Sequence, residues 1–180
     1  RLSISHYLDN DFQKAESALL KMEEIMPSSI IPIPSKQLQY QIAQVYNGVG
    51  NQDQMKYHMK ELVQRKDLEL EDYILYGKTF IQLLEDYDES KLIFETIYQN
   101  YTIIERSIIK RGFTATKISE KEWQDWQTSL PEIVYLLFLS YKNLEMYDEA
   151  KILLTDWIKK NPTDDNAQEL LDEILQLESP

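Results

Sequence analysis

Two histidines, His6 and His58, no cysteine and 31 Asp and Glu residues set what chemistry this chain can attempt. Without a thiol it has no disulfide, thiolate metal site or cysteine nucleophile. His6 precedes a turn and reads as packed or capping, and His58 lies between Tyr57 and Met59 on a helical stretch. Neither stands in a metal-ligand motif, so neither a metal nor a cofactor is expected. Asp9-Asn10-Asp11 has the flavour of a calcium loop but lacks its glycine and distant glutamate. It reads as a turn and N-cap. Asp164-Asp165 reads as a helix start favoured by the macrodipole. Glu71-Asp72 and Glu85-Asp86 would serve as solvated faces rather than acid/base dyads, since carboxylate pairs are common in so acidic a chain. There is no glycine-rich phosphate loop and no nucleophile motif. No catalytic residue is therefore assigned, and a non-enzymatic role is expected.

What remains is binding. Trp123 and Trp126 are three apart, hence on one helix face. They either pack an irregular segment onto its neighbours or form an exposed aromatic hot spot for a partner. The net charge of −12 and pI near 4.6 repel phosphate backbones, so nucleic acid is not an expected partner. The longest apolar run, residues 133–139, is too short to span a bilayer, and no membrane insertion by this segment is expected.

The elements that would position these residues are helical. Hydrophobic residues make up 43% of the chain and charged residues 28%, with only 4 Gly and 6 Pro, so an all-α fold is predicted. Apolar spacing at i, i+3, i+4 predicts helices over 12–26, 36–47, 52–65, 71–84, 88–100, 131–143 and 147–160. Residues 2–7 read as the end of another, and a capping helix is expected over about 164–177. Pro32 and Pro34 make 28–35 an extended connector. Residues 101–130 break the pattern. A short helix around Ile103–Ile108 ended by Gly112, a capping-box start at Ser119–Glu122, and a further start at Ser129–Glu132 are predicted there. The total is about ten helices in a single domain over 1–180, with 101–130 as an irregular insert.

A sequence motif recurs along these helices. Tyr147-Asp148-Glu149-Ala150-Lys151 is repeated as Tyr87-Asp88-Glu89-Ser90-Lys91 and, more loosely, as Asp11-Phe12-Gln13-Lys14-Ala15-Glu16. Each copy follows one amphipathic segment and opens another, as in stacked helix pairs. The stretch Pro131–Pro162 resembles a tetratricopeptide repeat. Val134, Leu137, Phe138 and Tyr141 take the helix A places, and Ala150, Leu154, Trp157 and Pro162 those of helix B. Phe138 and Trp157 replace usual small residues, which implies wider spacing there. Degenerate units contain Ile42, Ala43, Tyr46, Met55 and Met59, then Tyr73, Tyr76, Gly77, Phe80, Ser90 and Phe94, while Ala15, Leu19, Met22 and Pro27 form half of a first unit. The small residues among them would let paired helices approach closely.

This resemblance implies a right-handed α-α superhelix whose helix A faces line a concave surface. The residues placed there are Gln37, Tyr40, Gln44 and Asn47, then Lys78 and Gln82, then Tyr135, Lys142 and Asn143. Amides and tyrosines suit an extended peptide backbone, whereas the few cations do not suit the carboxylate clamp of some family members. The expected function is a scaffold that binds a protein or peptide partner. A second resemblance rests on residues 21–27, 31–34 and 38–46, which are similar to the soluble tail of a bacterial multi-pass membrane family related to protein O-mannosyltransferases. It implies a periplasmic appendage with a structural or substrate-recruiting role; otherwise a cytoplasmic scaffold is expected. The chain opens on Arg1 rather than Met and is expected to be a piece of a longer protein.

Overall fold

The structure, a computed structural model, describes residues 11–25, 35–113, 116 and 118–177. His6, Asp9, Asn10, the helix end at 2–7, Pro27, Pro32, Pro34 and much of the second resemblance lie outside the described residues. The described residues form eight α-helices and no strand, all-α as the composition predicts but fewer than ten. Their contacts gather into two compact units, residues 1–69 and 70–180.

The first unit contains α1 (Phe12–Ile25), α2 (Lys36–Gly48) and α3 (Gln52–Val63). Each begins at a side-chain cap: Asp11 accepts from the Lys14 amide at 3.3 Å, Ser35 from Leu38 at 3.3 Å, and Asn51 from Gln54 at 3.2 Å. The apolar stripes meet at Ala15, Ala43, Val45, Tyr46, Met55, Met59 and Leu62, all buried. Gly48 lets α1 reach α2: a Cβ there would lie 2.3 Å from the Phe12 ring.

The second unit contains α4 (Leu70–Gln82), α5 (Tyr87–Arg111), α6 (Glu120–Asn143), α7 (Tyr147–Lys160) and α8 (Asp165–Leu177). Its centre is α5 against α6. The hydroxyls of Ser90 and Ser140 meet at 2.9 Å, and the rings of Tyr101 and Trp123 stack at 4.9 Å. Low numbers on α5 therefore face high numbers on α6, and the two helices are antiparallel. Ser140 also donates to the Leu136 carbonyl at 3.0 Å, so this buried hydroxyl pair is satisfied inside the core. Gly77 faces Phe94 so closely that a Cβ would lie 2.5 Å from the ring.

Within 101–130 most of the described residues belong to two long helices, α5 and α6. Residues 101–111 continue α5, whose 25 residues end where Gly112 takes φ 75 and donates its N–H to the Ile108 carbonyl at 2.8 Å. Ser119 and Glu122 form the expected capping box, with the Ser119 amide donating to Glu122 Oε2 at 2.7 Å. The helix they start runs unbroken through Pro131 for 24 residues, so no new helix begins at Ser129. Pro131 lies among exposed Gln127, Thr128 and Glu132. Pro131 offers no N–H to the carbonyl of the exposed Gln127, one helical turn before it.

Three inter-helix turns share one device. Gly50, Glu85 and Glu145 adopt positive φ values of 74, 49 and 57. In each turn the next amide closes back on the preceding helix: Asn51 on Tyr46, Asp86 on Phe80 and Met146 on Tyr141, all at 2.9 Å. The acidic pair Glu85-Asp86 is thus a left-handed turn residue followed by the N-cap of α5, with Asp86 Oδ1 accepting from the Glu89 amide at 3.3 Å.

Candidate interaction surfaces

In the first unit Gln37, Tyr40, Gln44 and Asn47 follow one another at three or four residues along α2, so they form a single stripe. Gln37 is exposed and the other three are half-buried, while Ala43, Val45 and Tyr46 fill the opposite, buried side. Beneath, His58 stacks on Tyr46 at 5.3 Å and meets Tyr57 edge-on. Its Nε2 is buried without a hydrogen bond, and burial lowers its pKa against the opposing pull of Glu61. This is a packed ring.

In the second unit both predicted cations are engaged. Lys78 of α4 meets Glu132 of α6 at 2.5 Å, and Lys142 of α6 meets Glu173 of α8 at 2.5 Å. Alternate helices are thereby bridged side by side along α4, α6 and α8. Between the two bridges Tyr135 is 41% exposed, and Leu75, one turn from Lys78, is 43% exposed. Gln82 is exposed at the end of α4. Asn143 is exposed too, but its amide donates to the Leu139 carbonyl at 2.8 Å. The structure thus brings Lys78, Tyr135 and Lys142 to one surface.

Of the two readings of the tryptophans, packing and hot spot, the structure shows packing. Trp123 is 8% exposed, stacked on Tyr101, and Trp126 is half-buried with its ring 6.4 Å from the same tyrosine. Aromatic stacking holds the extended ends of α5 and α6 together. Burial, then the Glu105 carboxylate that accepts from the Tyr101 hydroxyl at 3.2 Å, pushes that phenol's pKa well up.

A cleft that the sequence did not mark opens between α5 and α7. Glu95, Tyr98 and Gln99 of α5 form one wall and Glu149, Ile152, Leu153 and Asp156 of α7 the other, with Leu137 and Tyr141 of α6 as floor. Its volume is about 190 Å³. The Tyr141 hydroxyl donates to Glu95 Oε1 at 2.8 Å, and burial first, then that carboxylate, holds the Tyr141 phenol far above its usual pKa. Burial also raises Tyr98, with Lys160 opposing. Beyond the cleft, Lys160 of α7 crosses to Glu105 of α5 at 2.6 Å. The missed signal was an apolar residue out of phase with the packing stripe: Ile152 is 64% exposed.

Asp164 is a cap rather than a site. Its two oxygens accept from the Ala167 amide at 3.1 Å and from Trp157 Nε1 at 2.7 Å, fastening α8 to α7. Among the described residues no helix is long and apolar enough to cross a membrane. Comparison with protein-family models, curated proteins and solved structures finds no match.

Proposed function

We propose that this chain is a non-enzymatic interaction module, a tetratricopeptide-like stack of helix pairs that holds a protein or peptide partner along α4, α6 and α8. The reading rests on the two ion pairs that bridge alternate helices, Lys78–Glu132 and Lys142–Glu173. Side-by-side alternate helices give a continuous ridged face, and Tyr135 and Leu75 supply flat apolar contact on it. With both cations already neutralised, the surface suits an extended backbone and apolar side chains better than a terminal carboxylate. The repeated left-handed turns and the close-packing residues Gly77, Ser90 and Ala150 support the same architecture.

The test is affinity capture with the 180-residue chain from the native cell, repeated with Tyr135→Ala and with Leu75→Ser. A partner held by the parent and lost from both variants at unchanged helicity is the expected result. Equal recovery across all three proteins rejects this face, and measurable turnover of the partner by the chain rejects the non-enzymatic reading.

A further inference from the structure

The cleft between α5 and α7 has an uneven composition. Its lining includes three carboxylates, Glu95, Glu149 and Asp156, and no lysine, arginine or histidine. Between them lies the aliphatic surface of the 64% exposed Ile152, with the buried Leu137 and Leu153 beneath. Glu95 is oriented by the Tyr141 hydroxyl at 2.8 Å, and Asp156 pairs with the exposed Lys159 of its own helix at 3.0 Å. An apolar floor with anionic walls matches a side chain that has an aliphatic stem and a cationic end.

Size narrows the occupant. About 190 Å³ is below the roughly 300–1,000 Å³ of a small-molecule pocket, so the cleft suits one side chain of a longer ligand. Just beyond the cleft one ammonium already crosses between the two helices. The Lys160 ammonium spans from α7 to the Glu105 carboxylate of α5 at 2.6 Å, near Tyr98 of the same cleft.

We propose that the α5–α7 cleft docks an extended basic segment of a partner protein, laying one Lys or Arg side chain against Ile152 with its cation among Glu95, Glu149 and Asp156. This rests on the reading of the chain as an interaction module, but on a different face. Leu137 and Tyr141 leave α6 on the side opposite Tyr135 and Lys142, by the 3.6-residue turn.

The experiment is an NMR titration of the ¹⁵N-labelled 180-residue chain with acetyl-Leu-Lys-Leu-amide and with the same peptide carrying norleucine for lysine. Saturable shifts at the Gln99 side-chain amide and at residues 95, 98, 149 and 152 are expected with the lysine peptide only, weakening as salt is raised. Replacing two exposed charges in E149Q/D156N is expected to weaken binding about fivefold, from two contributions each below about 1 kcal/mol. Tyr135→Ala is expected to leave this titration unchanged while releasing the partner captured on α4, α6 and α8, which separates the two sites. Equal binding of the norleucine peptide, unchanged affinity in E149Q/D156N, shifts confined to α4 and Tyr135, or no saturable binding at millimolar peptide would each overturn the proposal.

Discussion

Gly77 is a close-packing position that no larger residue fits without a shift. It sits on α4 against the fully buried Phe94, and a methyl group there would lie 2.5 Å from the ring. Gly77→Ala gains up to about 1 kcal/mol of helix propensity and loses about 1–3 kcal/mol to overpacking, so the steric effect should win. Urea unfolding should show a lower midpoint for Gly77→Ala, and Phe94→Leu in the same chain should relieve most of the loss. His58 makes a contrary case. Because burial lowers its folded pKa below 6.5, its stabilising contribution is complete above that value and is lost as pH falls through the folded pKa. His58→Phe should stabilise the chain by about 1 kcal/mol near neutrality, since a buried nitrogen without a hydrogen bond disappears. The gap should widen in thermal melts from pH 7 to pH 5. A constant gap would mean that the ring's ionisation plays no part.

At the scale of the helix, Pro131 separates two descriptions of the same sequence. Read as the first residue of a helix, a proline is favourable and Pro131→Ala would be neutral or harmful. In the structure it lies inside α6, so Pro131→Ala should stabilise the chain by about 1–3 kcal/mol and restore one intrahelical hydrogen bond. Hydrogen exchange at the amide of residue 131 and a higher denaturation midpoint check both effects. The helices themselves were legible because apolar spacing is a local signal. Tyr147–Lys160 appears with both predicted ends, and Asp11 and Ser119 cap where their side chains suggested, while the caps at Ser35 and Asn51 were not singled out. The long α5 and α6 were not, because Tyr101 gains its meaning only from Trp123 and Trp126, more than twenty residues further along the sequence but stacked on it in space. The cleft was hidden for the same reason. It takes its walls from two helices and its floor from a third. Of the residues placed on the binding face, Lys78 and Lys142 are each held in an ion pair and Tyr135 is exposed, while Trp123, read as either packing or a hot spot, is buried.

For the molecule as a whole, the separation into residues 1–69 and 70–180 has a direct experimental meaning. The second unit has its own core, from Tyr76 and Phe80 through Phe94, Leu137 and Phe138 to Leu154 and Ile174. A fragment of residues 70–180 should therefore unfold cooperatively by circular dichroism, and a broad non-cooperative melt would show that its core is incomplete alone. Another consequence follows from the pattern of helix contacts. In the second unit each helix packs chiefly on the next in sequence, and the α4–α6 bridge skips only one. No long loop must close before these contacts form, so the search for the native arrangement is short. Such local topologies reach the folded state in microseconds to milliseconds. A chain built this way can assemble progressively as it leaves the ribosome, each helix finding its neighbour soon after both have emerged.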